Sequence, residues 1–213
     1  MTALFDLETP AAGLPTRPAA DTTLNLPTVY GLDLSLTSTG ISDGTTADAL
    51  IPGDRDGHDR LEFHRLAVRD RIPDETSLVV IEGVAMSVGY RPGVEEMTYL
   101  RGIIRHDLWR RRIPFAICPP QHRIIYATGR ANPAKDYPAS KRKTAAKGMV
   151  RDAVRERYGV PCEGRGRYDQ ADSVVLAAMG LHWLGFPLAV LPDTHRRALA
   201  GVTWPLNIPA VAR

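Results

Sequence analysis

From Thr28 the chain runs TVYGLDLS, a short apolar block that ends in polar residues, and TGISDG follows a few positions later. Two such blocks so close together predict neighbouring strands at the start of a sheet. A third strand is predicted over residues 47–51. SLVVIEG, residues 77–83, is the strongest strand signal: consecutive apolar residues rich in β-branching, short enough for a buried central strand, with a glutamate at the end. FAIC, residues 115–118, predicts one more.

Helical spacing fills the remainder. Leu61, Leu66 and Val68, set among charges, predict a helix over 58–71, and Met97, Leu100, Ile104 and Leu108 predict one over 93–112, stopped by Pro114. Ala146, Met149, Val150, Ala153 and Val154 form an apolar face on a helix over 139–158, closed by Gly159 and Pro161. A last long helix covers 169–184, ended by Gly185 and Pro187, while PPQHRIIYATGRANPAKDYP is expected to be a loop with embedded turns. Residues 1–26 carry Pro10, Pro15 and Pro18 and no apolar period, which predicts a flexible arm. Residues 187–213, with Pro187, Pro192, Pro205 and Pro209, predict an extended tail packed on the domain and anchored by Trp204. Strands first, then helices alternating with strands, indicate a mixed sheet flanked by helices in a single α/β domain over 27–186.

Composition narrows the class. With 213 residues, 44% hydrophobic and 24% charged, the chain can bury one sizeable core. No apolar run approaches the roughly 18–20 residues a membrane span needs, and MTALFDLETP lacks the features of an export signal, so a cytoplasmic protein without a membrane partner is expected. Cys118 and Cys162 form neither a disulfide framework nor a zinc site and are expected to be ordinary thiols. Net charge is only +3, but the basic residues cluster. Lys141 to Arg157 holds seven Lys or Arg against Asp152 and Glu156, and Arg101 to Arg112 holds five Arg against Asp107, which suits a polyanionic partner. Within the first cluster Lys143, Lys147, Arg151 and Arg155 recur every fourth residue beside the apolar face; a solvated helix face is the plain alternative.

The acidic positions carry the candidate chemistry. Asp33 lies in the first strand, Glu82 ends the strongest strand, and Asp169 and Asp172 open the last helix three residues apart, hence on one face. An acid within or just after a buried strand is costly unless paired or bound to a cation. Oxygen donors in this number suit Mg2+ or Mn2+ rather than zinc. Taken singly, Asp169 could be a helix N-cap, Asp33 a turn residue and Glu82 an edge contact; their joint placement favours a metal site. The six histidines are scattered without ligand spacing and are assigned no chemistry.

GLDLSLTSTG at 31–40, VVIEG at 79–83, KGMVRDAV at 147–154 and DQADSVVLA at 169–177 resemble, in order and separation, the four motifs of RuvC-type Holliday junction resolvases, and are nearer to bacteriophage forms than to the bacterial enzyme. The resemblance implies a ribonuclease H-like fold, a homodimer and cleavage of branched DNA. It also implies catalytic metal ligands at Asp33, Glu82, Asp169 and Asp172, holding two Mg2+ or Mn2+ ions. Lys147 matches the motif lysine and is expected to assist near the scissile phosphate. DNA contacts are expected from Lys143, Lys147, Arg151, Arg155 and Arg123, and from Arg165 and Arg167 in a GRGR stretch before Asp169. The helix over 93–112, with a basic line through Arg101, Arg105 and Arg112, is expected at the dimer contact. The chain departs from bacterial members where they carry an aromatic residue after the motif glutamate: here Val84, Ala85 and Met86 follow, and the nearest aromatic is Tyr90. The segment between Gly129 and Lys147 is also longer. Two other classes compete. A DNA-structure-binding protein that does not cut would share the basic surface but has no use for four grouped carboxylates. An actin-like nucleotide enzyme would need glycine where Leu34 stands.

Overall fold

Two antiparallel pairings and two parallel ones build a single five-stranded sheet in the order β3-β2-β1-β4-β5. The structure is a computed structural model that describes residues 26–84 and 93–206. Its strands are β1 (Val29–Asp33), β2 (Thr39–Ser42), β3 (Ala47–Leu50), β4 (Leu78–Glu82) and β5 (Phe115–Cys118). The helices are α1 (Gly57–Arg71), α2 (Val94–Arg110), α3 (Pro120–Thr128), α4 (Ala139–Tyr158), α5 (Arg167–Trp183) and the short α6 (Asp193–Arg196). The expected arm lies almost wholly outside the described residues, as do Ala85, Met86 and Tyr90.

Both faces of the sheet are covered, which explains why β4 is apolar throughout rather than alternating. Leu32, Val79 and Ile81 face a core completed by Leu61 and Val68 of α1 and by Leu100, Ile104 and Leu108 of α2. Val29, Leu78 and Val80 face the opposite core, built by α3, α4 and α5. Every residue of α5 from Ala171 to Leu181 is buried, because this helix packs on the sheet and against α4 at once. The approach is close. A Cβ at Gly31 would overlap the Ser173 carbonyl oxygen and stand 2.5 Å from the Ala177 nitrogen, and a Cβ at Gly40 would overlap the Asp169 carbonyl.

Two expectations are corrected. Residues 120–128 form α3 rather than loop: Pro120 occupies the first turn, where its missing N–H costs nothing, and Gly129 ends the helix at φ 74°. The paired prolines mark the start of a helix, and Tyr126 and Ala127 give it a buried face. The C-terminal segment is not simply extended, since α6 and a 3-10 turn at Arg197–Gly201 fold back on α3. Two histidines pin it there: His195 Nδ1 donates to the Tyr126 carbonyl at 2.8 Å, and His122 Nδ1 to the Ala198 carbonyl at 3.1 Å. Trp204 does anchor the segment, stacked on Trp183 with ring centres 4.6 Å apart and its indole N–H donating to the Leu199 carbonyl. Among the described residues no helix is long and apolar enough to cross a membrane.

Gly31→Ala should push α5 off the sheet and lower the unfolding free energy by about 1–3 kcal/mol, read as a lower urea midpoint at unchanged slope. An unchanged midpoint would contradict this packing. His64 is fully buried on α1, its Nε2 3.4 Å from the Leu36 carbonyl and its Nδ1 without a hydrogen-bond partner among the described residues. Burial lowers its pKa below the ordinary 6.5, so the folded state binds fewer protons there than the unfolded chain. His64 should therefore withdraw stability as pH falls below about 6.5. Urea midpoints at pH 7.5 and 5.5 should diverge more in the parent than in His64→Gln; equal losses would show that His64 is not the titrating group.

Candidate active site

Strand periodicity decides which side chains meet. Gly31 faces α5, so Asp33, two residues on, shares that face; Val80 faces α5, so Glu82 does too. Because β1 and β4 run parallel with Leu32 opposite Ile81, both acids leave the sheet at the same end on adjacent strands. The first turns of α5 are pinned over that end by the absence of a side chain at Gly40, and they deliver Asp172 to the same place. Gly166, in the left-handed region at φ 83°, starts the helix: a side chain there would meet Ser38 and Ala49. Asp169 therefore sits inside the first turn and is not the N-cap.

Asp33 and Asp172 are buried, at 7% and 3% exposure, and Glu82 is nearly so. Arg123, at 7% exposure, reaches in from α3. Its Nε donates to Glu82 Oε1 at 2.7 Å, and its Nη1 forms a short ion pair with Asp172 Oδ1. Asp169 stays at the rim, with Lys147 Nζ 4.0 Å from its Oδ1. Arg101 of α2 also lies within electrostatic reach of Glu82 and Asp33.

One guanidinium cannot satisfy this many carboxylates. Burial opposes ionisation of Glu82, but Arg123, the neighbouring Asp33 carboxyl and Arg101 together hold the group below its ordinary pKa. Burial raises the Asp33 carboxyl well above the ordinary range, and the neighbouring Glu82 and Asp172 charges raise it further. Asp172 is raised by burial too, with Glu82 adding to the shift and Arg123 opposing it. The cluster is thus short of positive charge, and its hard oxygen donors fit Mg2+ or Mn2+ in chemistry. Asp33, Glu82 and Asp172, with Asp169 at the edge, are the side chains that could hold such ions. Among the described residues no three His, Cys, Asp or Glu side chains form a ready-made cage, since Arg123 stands between Glu82 and Asp172.

The expected basic residues divide. Lys143 and Arg155 are exposed on α4, Lys147 is half-buried, and Arg151 lies 3.4 Å from Asp152. Arg165 and Arg167 are exposed, and Arg167 stacks over Tyr168 at 4.9 Å. Arg123, expected at the DNA surface, is instead an internal partner of the acids, because α3 turns it inward. Arg101 and Arg105 do not form an exposed line with Arg112: both are half-buried, with Nε atoms that find no partner among the described residues. The inward roles of Arg123 and Arg101 left no mark in the sequence beyond an arginine among apolar residues.

No protein-family model and no curated protein sequence matches the chain. Solved structures do. The Thermus thermophilus RuvC structure aligns with a TM-score of 0.51 at 15% identity, covering 76% of this chain and 99% of that one. T. thermophilus RuvC in complex with Holliday junction substrate aligns with a TM-score of 0.50 at 14% identity, covering 77% and 99%. At these identities the likeness speaks to architecture, and the mixed sheet between two helical layers has the RuvC-like, ribonuclease H-like fold.

Proposed function

We propose that this protein is a divalent-metal-dependent endonuclease of branched DNA, with four-way Holliday junctions as its substrate and a homodimer as its working form. The observation that carries the reading is the convergence of buried Asp33, Glu82 and Asp172 from β1, β4 and α5 at one end of the sheet, with too little positive charge to balance them. Four-way DNA is what one structural neighbour holds, and the bacteriophage-like motif pattern points the same way. A protein that only bound DNA would gain nothing from buried carboxylates beside a polyanion.

Bound Mg2+ or Mn2+, two per site, would supply an activated water and stabilise the departing oxygen. The chain's own part is to bind and orient. Asp33, Glu82, Asp169 and Asp172 would hold the ions. Lys147, beside Asp169 at the rim, places a positive charge next to the phosphate under attack. Lys143, Arg155, Arg165 and Arg167 supply exposed charge for the DNA backbone, and Lys135, Arg142 and Lys143 line a recess between α3 and α4. Support for the dimer comes from α2, which keeps Leu100, Ile104 and Leu108 in its own core yet exposes Tyr99 and Trp109.

Labelled four-way junctions, flaps, forks and linear duplex incubated with Mg2+ or Mn2+ test activity and substrate together. Asp33→Asn, Glu82→Gln and Asp172→Asn should each lower cleavage by at least about a hundredfold while junction binding persists; normal turnover by any of them removes the assigned site. Lys147→Ala should slow single-turnover cleavage at saturating enzyme, since its charge is aimed at the transition state. If the variant cuts bound DNA as fast as the parent, Lys147 only docks the backbone. Sedimentation that finds only a monomer at micromolar concentration would count against the dimer.

A further inference from the structure

Arg123 is a cation held inside the acidic cluster, and its two contacts join different elements, Glu82 on β4 and Asp172 on α5. A buried guanidinium is unusual and needs full compensation. The apolar contacts of α3 come from Ile125, Tyr126 and Ala127, so Arg123 is not required as packing. Its planar fork, with N–H groups pointing in fixed directions, suits one side chain to bridging two carboxylates.

Building on the metal-dependent reading above, we propose that Arg123 is a resident counter-cation: it keeps Glu82 and Asp172 facing each other when no divalent ion is bound, and it competes with the ion for Asp172. Without that bridge, carboxylates from β1, β4 and α5 would repel one another across the seam where α5 meets the sheet, with only the half-buried Arg101 and Lys147 at the rim to offset the charge. The bridge shapes the site before metal arrives. It also weakens metal binding, because the ion must displace a guanidinium from at least one oxygen, and by linkage the ion loosens Arg123 to the same degree. Arg123 is thus a positioning residue, acting through the side chains it bridges.

Calorimetric titration of Mn2+ into the metal-free parent, R123M and R123K, together with thermal unfolding in EDTA of these proteins and of R123M/D172N, tests the idea. R123M should bind Mn2+ about tenfold more tightly than the parent, with R123K in between. In EDTA, R123M should melt at a lower temperature, and R123M/D172N should recover part of the loss because one of the opposed charges is gone. An arginine that merely filled space would give no such recovery. Should R123M fail to fold, R123K and the double variant carry the same comparison. Equal Mn2+ affinity in the parent and in the folded Arg123 variants overturns the competition and leaves the metal-dependent reading standing; absence of Mn2+ binding in every one of them overturns both.

Discussion

The seating of α5 on the sheet is the contact on which the rest of the molecule depends. Two glycines, Gly31 on β1 and Gly40 on β2, leave no room for a side chain between strand and helix, so backbone meets backbone. That proximity buries α5 on all sides from Ala171 to Leu181, since sheet, α4 and the C-terminal segment enclose it. The same contact brings the Asp172 carboxylate to the end of β1 and β4. A side chain at Gly31 or Gly40 would lift α5, and Asp172 with it, away from the strand ends that carry Asp33 and Glu82.

Bringing acids together in a low-dielectric seam sets the second constraint, which is charge. The fold meets it in layers: Arg123 inside, Arg101 half-buried beside it, Lys147 at the rim, and the exposed bases of α4 and the GRGR stretch outside. Burial first, and the unbalanced neighbouring acids second, make the Asp33 and Asp172 carboxyls resist ionisation, while Glu82, held by Arg123, does not. A site of this kind has an electrostatic reason to take up a divalent cation, and a surface around it suited to a phosphate backbone. Those two properties together, more than the sheet topology, underlie the proposed chemistry, because ribonuclease H-like architecture hosts many activities.

The sequence by itself determined the strands, the four long helices and the order in which three acidic positions appear, because period-2 and period-3.6 patterning and glycine or proline stops are local signals. It also marked Asp33, Glu82 and Asp172 as costly acids, since each adjoins an apolar run that has to be buried. It did not disclose α3, whose start at two prolines has the appearance of a break, nor the helical turns of the C-terminal segment, whose tie points His122 and His195 act across long separations. Nor did it disclose the direction of Arg123 and Arg101. Whether an arginine on an amphipathic helix faces solvent or an acidic seam depends on where that helix docks. That docking is decided by packing between distant elements and leaves no pattern in the chain around the residue.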